Sequence, residues 1–148
     1  MNLEQQIIQD IKASMLSKNS LKLEVCRSIK SAIILAKSEK GFTEMTKEKE
    51  IEILQKLYKQ RKESYSIYVQ QKRLDLAEQE NSQARIISTY LPEPYTLHEL
   101  EVLITDLIQE LGLFSKKDMG SLMKTTMQRV KGRADGKTIS AILSKKLK

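Results

Sequence analysis

Side chains that could carry chemistry are few in this chain. The only histidine, His98, stands between Leu97 and Glu99 at the start of an acidic stretch, and the only cysteine, Cys26, falls among Leu23, Val25 and Ile29. Acid–base work at neutral pH recruits histidine, or carboxylates whose pKa values are driven apart by their surroundings. A serine nucleophile needs a base beside it. One histidine in an ordinary helix-start setting supplies neither role, and Cys26 reads as a small buried hydrophobe. No Gly-rich loop follows a strand, and no Cys/His group has metal-ligand spacing. The residues therefore offer no catalytic set, no cofactor site and no metal site, and autonomous catalysis is not expected.

Binding chemistry is better represented. Residues 113–148 hold ten Lys or Arg and two acids, a net +8, whereas residues 1–112 hold 16 basic and 17 acidic residues, a net −1. The 17 residues just before this basic end, 96–112, carry four acids and no Lys or Arg. Charge clustered this tightly makes a surface for an anionic partner. A basic membrane helix would set bulky aromatics opposite its lysines, but Trp is absent and Phe114 is the sole aromatic after Tyr95, so a nucleic-acid backbone is the favoured partner and a membrane is not. The densest cluster is Val130-Lys131-Gly132-Arg133-Ala134-Asp135-Gly136-Lys137. Here Gly132 and Gly136 permit sharp turns, Asp135 can cap a helix, and the amides at that helix start could meet a phosphate. The same glycines read equally as plain helix punctuation.

The elements that must position these residues are helical. Asn2 with Gln5 opens a first helix whose stripe is Leu3, Ile7, Ile8, Ile11 and Met15. Asn19 or Ser20 caps a second, with Leu21, Val25, Ile29, Ala32, Ile33 and Ala36 on one face and Gly41 ending it. Thr46 starts a third of about six turns, carrying Ile51, Leu54, Tyr58, Tyr65 and Val69. Asp75 with Glu78 reads as a capping box for a fourth, through Ala77, Ala84, Ile87 and Tyr90. Pro92 and Pro94 stop it and mark the best boundary.

Beyond the prolines, Thr96 with Glu99 opens a fifth helix with Leu97, Leu100, Leu103, Ile104, Leu107, Ile108 and Leu111, ended by Gly112. Ser115 with Asp118 starts a sixth, presenting Met119, Leu122, Met123, Met127 and Val130, and the seventh begins near Asp135 with Ile139, Ile142, Leu143 and Leu147. The methionines and tyrosines are read first as core filling. No segment alternates as a strand does. The expected architecture is all-α, with an N-terminal helical domain over 1–92 and a C-terminal three-helix domain over 96–148.

These residues resemble the YqeY proteins, whose C-terminal portion is shared with the tail of the GatB and GatE subunits of tRNA-dependent amidotransferases. In the N-terminal part the resemblance rests on residues 27–34, on Gln60-Arg61-Lys62-Glu63-Ser64, on Asp75-Leu76-Ala77-Glu78 and on Tyr90-Leu91-Pro92. In the C-terminal part it rests on Lys117-Asp118-Met119-Gly120 and on residues 131–137. Two departures stand out: Gln128 occupies a position where relatives often have proline, and Gln71-Lys72-Arg73 lacks the glycine common before that arginine.

The resemblance implies a four-helix N-terminal domain followed by a three-helix GatB/YqeY tail-type domain. It also implies an accessory module that binds tRNA or another structured RNA in the cytoplasm. The residues expected to contact nucleic acid are Lys116, Lys117, Lys124, Arg129, Lys131, Gly132, Arg133, Gly136 and Lys137, with Asp118, Gly120 and Asp135 as capping or structural positions. Two other roles are open on the same ground. One is an adaptor that docks on an amidotransferase or an aminoacyl-tRNA synthetase. The other is a contribution, only within a complex, to carbon–nitrogen ligase activity with glutamine as amide donor.

Overall fold

The computed structural model describes residues 1–148 as seven α-helices and one short 3-10 turn, with no strand. The chain divides into two compact units, Met1–Leu91 and Pro92–Lys148.

The first unit contains α1 (Leu3–Leu16), α2 (Ser20–Lys37), α3 (Lys47–Gln70) and α4 (Leu74–Ser88). Its helix starts follow local chemistry. Asn2 Oδ1 accepts the Gln5 amide at 2.9 Å, and Gln5 Oε1 accepts the Asn2 amide at 3.1 Å, so two donors without intrahelical partners are satisfied reciprocally. Asn19 Oδ1 and Thr46 Oγ1 cap α2 and α3 by accepting the Lys22 and Lys49 amides, each at 3.1 Å, with no reciprocal bond. A neighbouring orphan donor of α1, the Leu3 amide, reaches Glu50 Oε2 at 2.8 Å and so ties α1 to the first turn of α3.

Two sequence expectations fail at helix ends. No side chain caps α4; Arg73 is its cap residue, and Asp75 lies inside the first turn. The Asp75 carboxyl is held below its ordinary pKa, first by the Leu76 amide, so it serves the helix start without forming the expected box with Glu78. Gly41 does not end α2, which stops at Lys37. With φ at +90° it turns residues 39–42 instead, closed by the Phe42 amide on the Glu39 carbonyl at 3.1 Å.

The core of this unit gathers Leu3, Ile7, Val25, Cys26, Ile29, Ile33, Leu54 and Ile87. Ile8 and Met15, which the periodic reading placed on the buried face of α1, are exposed, and Ser14 is buried in their place. Where α3 and α4 run side by side, Ala77 and Ala84 are buried, and residues this small let helix backbones approach closely. Polar ties fix the register. Lys62 Nζ donates to Asn81 Oδ1 at 3.0 Å, and Arg61 reaches Glu80 at 3.8 Å and Ser28 on α2 at 3.4 Å. A further chain closes the unit, in which the Tyr90 hydroxyl donates to Asp10 Oδ2 at 2.5 Å and lies 3.3 Å from the buried Cys26 sulfur. Because the single tyrosine proton is spent on the carboxylate, the thiol is the donor in the second contact.

The second unit contains α5 (Leu97–Leu111), a 3-10 turn (Lys116–Asp118), α6 (Met119–Val130) and α7 (Gly136–Lys146). Thr96 and Glu99 form the expected capping box. Gly112 ends α5 in the left-handed conformation, its amide bonding the Ile108 carbonyl at 2.9 Å. Leu100, Ile104, Ile108, Leu122, Val130, Ile139, Ile142, Leu143 and Leu147 make one core. Met127 is 41% exposed, and the wholly buried neighbour is Thr126. The segment 92–95, read as a connector, is fastened to this unit through Arg133.

Candidate nucleic-acid interface

The basic residues of the second unit are arranged around α6. At its C-terminal end two successive left-handed residues, Lys131 at φ +49° and Gly132 at φ +82°, turn the chain sharply toward α7. Asp135 then caps α7, its Oδ1 accepting the Lys137 amide at 3.2 Å. The helix start thus already has an anion of its own, so phosphate attraction at this end rests on the lysine side chains more than on free amides. Lys131 and Lys137 are exposed on either side of the turn.

Arg133 is differently placed. Its Nε donates to the Glu93 carbonyl at 2.7 Å, its guanidinium sits 4.1 Å from the centre of the Tyr95 ring, and its own carbonyl accepts the Tyr95 amide at 2.8 Å. Three contacts bind this side chain and backbone to 93–95. The Glu99 carboxyl lies below its ordinary pKa, chiefly through the Thr96 amide and then the Thr96 hydroxyl, with the positive charges of Arg133 and His98 adding to the effect.

A second basic group lies toward the other end of α6. There Ser115 and Asp118 form a capping box around the 3-10 turn that carries Lys116 and Lys117. The Lys148 amide donates to the Phe114 carbonyl at 3.0 Å, and the Lys116 amide donates to the Lys148 carbonyl at 3.1 Å. This clasp brings the end of α7, with Lys145 and Lys146 in its last turn, to Lys116 and Lys117. The twelve residues of α6 separate the two groups by about 18 Å. Lys124 is exposed partway along the helix.

The candidate residues are therefore not one patch. Lys131 and Lys137 form one group with the clamped Arg133, and Lys116 and Lys117 belong to another. Arg129 faces elsewhere, lining a groove of about 400 Å³ with His98, Glu99, Asp106 and Glu110 on the acidic side of α5. Gly120 and Gly136 sit inside the starts of α6 and α7 without positive φ, and a Cβ at either would meet nothing within 4 Å. The protein's own packing does not require glycine at those two positions. Sequence reasoning misses Lys145, Lys146 and Lys148, although the run Lys145-Lys146-Leu147-Lys148 is the signal for them.

None of the eight lysines in residues 113–148 forms an ion pair, and all eight are exposed. The fold leaves their charge uncompensated. No helix is long and apolar enough to cross a membrane.

Comparison with known proteins bears on the whole chain. Altered inheritance of mitochondria protein 41, mitochondrial, from Vanderwaltozyma polyspora is 35% identical over 132 residues, covering 78% of this chain and 69% of that protein. The family model described as Yqey-like protein matches residues 4–147, and with nearly all of the sequence inside that match the chain belongs to the YqeY-like family.

Proposed function

We propose that this protein is an RNA-holding accessory module, with tRNA as the foremost ligand, and that its second unit makes the contacts. The carrying observation is the set of eight exposed lysines without ion pairs, seven of them in two groups at the ends of α6 and Lys124 between them. Two cationic groups about 18 Å apart on one short helix suit a partner whose phosphates are themselves spaced along a strand. Shape and backbone would be read more than base sequence. In this reading the two units act as separate domains, four helices over 1–92 and three over 96–148, and the resemblance to the amidotransferase tail supports tRNA over other RNAs. Chemistry on the tRNA would belong to other proteins. A cytoplasmic site of action is part of the proposal, the Vanderwaltozyma relative being mitochondrial by name.

The test is equilibrium binding of the full chain to bulk tRNA across a salt series. Affinity is expected to fall steeply with salt, and either Lys131→Ala/Lys137→Ala or Lys116→Ala/Lys117→Ala should reduce the slope by about 1.5 for the two charges removed. Absence of binding at micromolar protein, or binding indifferent to salt, would refute the reading.

A further inference from the structure

Seven aromatic residues are present, five Tyr and two Phe, and six of them are partly withdrawn from solvent. Tyr58 and Tyr90 pack on the first core, Tyr65 lies beneath Lys62, and Tyr95 lies beneath Arg133. Phe114 is the exception, with 56% of its surface exposed. Its exposure does not come from a loose segment. The preceding Leu113 packs on the second core, the Phe114 carbonyl is held by the Lys148 amide, and the Lys116 amide closes on Lys148 from the other side. A backbone held at both ends thus presents an open aromatic ring on the segment that carries Lys116 and Lys117 and is hydrogen-bonded to Lys148, next to the last turn of α7 with Lys145 and Lys146.

We infer that Phe114 and the lysines around it form a seat for an unpaired nucleotide, the base stacking on the ring and the adjoining phosphates meeting the ammonium groups. Every base offers a π-face, so a single exposed ring among cations recognises an unstacked base without choosing its identity. A duplex offers that ring nothing, because its bases are already stacked. An anionic membrane is the rival ligand for an aromatic set among lysines, yet it calls for a face of several bulky apolar residues. Here Leu113 is half-buried and Leu147 is 3% exposed, both committed to the core. The inference rests on the RNA-holding reading of the second unit and adds to it the single-stranded feature that the basic surface selects.

The experiment compares the full chain with Phe114→Ala and Phe114→Trp on two RNAs, a blunt hairpin and the same hairpin carrying a short unpaired extension. The unaltered protein should bind the extended RNA about tenfold more tightly, Phe114→Ala should erase the preference while still binding both, and Phe114→Trp should keep it with indole fluorescence quenched by the extension. Phe114 is an open surface position outside both cores, and identical thermal melts of the variants would document an intact fold. Equal affinity of the unaltered protein for the two RNAs, or a preference that survives Phe114→Ala, overturns the seat. Binding to phosphatidylserine vesicles that Phe114→Ala abolishes would also overturn it and assign the ring to lipid. Failure to bind either RNA would instead overturn the RNA-holding function itself.

Discussion

The guanidinium of Arg133 lies 4.1 Å from the centre of the Tyr95 ring, and the Tyr95 amide donates back to the Arg133 carbonyl at 2.8 Å. Two segments 38 positions apart in sequence are clasped by one residue pair. Within the basic run 131–137 this divides the labour: Lys131 and Lys137 are free to meet a ligand, and Arg133 holds the turn between α6 and α7 against 93–95. The planar fork of arginine suits that task, since it can lie on a ring while its Nε points at the Glu93 carbonyl.

Replacing Arg133 by Ala should therefore lower the stability of the second unit by about 1–3 kcal/mol, through loss of the stacked cation and of a charge-assisted hydrogen bond. Arg133→Lys should restore little, because an ammonium cannot make both contacts. Urea unfolding of the full chain measures this, and RNA affinity in the folded range should fall less than for Lys131→Ala. Unchanged stability in Arg133→Ala would show that the clasp does no holding.

The Tyr90 hydroxyl gives the first unit a pH signature. Burial, then the hydrogen bonds to Asp10 and Cys26, raise its pKa above the ordinary value of 10.0. A proton held more tightly in the folded state than in the unfolded one stabilises the fold fully below pH 10, and the contribution is lost as pH climbs toward the folded value. Tyr90→Phe should cost about 1.5 kcal/mol at neutral pH, the low end for a bond to a charged group, because the hydroxyl is only partly buried. The gap between the two proteins should narrow progressively above pH 10 in thermal melts. A gap constant across that range would contradict the shift.

How much of this was legible in the sequence depends on the range of each interaction. Asn2, Asn19, Thr46, Thr96, Ser115 and Asp135 were readable as caps because a cap and its partner amide lie within three residues. The buried stripes of α2 and α7 followed from spacing alone. Spacing misled where apolarity and position disagreed. Thr126 is four residues from both Leu122 and Val130 and is wholly buried, but counting apolar residues selected Met127; likewise Ser14, seven residues after Ile7, takes the inward place assigned to Met15. The Arg133–Tyr95 clasp, and the Lys148–Phe114 bond that gathers the second basic group, join residues more than 30 positions apart. No local pattern announces either.

One departure from the family pattern has a structural counterpart that can be tested. The resemblance implies glycine before Arg73, and here Lys72 occupies that place with φ at +60°. The Arg73 amide bonds the Tyr68 carbonyl at 2.8 Å, the closing bond of a helix C-terminal turn whose left-handed residue is Lys72. A side chain in that conformation costs about 1–2 kcal/mol that glycine avoids, while glycine loses about 0.5–1 kcal/mol through the greater freedom of its unfolded chain. Lys72→Gly should therefore stabilise the first unit by up to about 1 kcal/mol, read as a rise in the denaturation midpoint with unchanged slope. Lys18, at φ +58° after α1 with the Asn19 amide on the Ser14 carbonyl at 2.9 Å, repeats the geometry, so Lys18→Gly should act in the same direction. Lys72→Ala is the control, since it removes the charge and keeps the Cβ. A gain shared equally by Lys72→Ala and Lys72→Gly would assign the effect to charge and not to backbone strain.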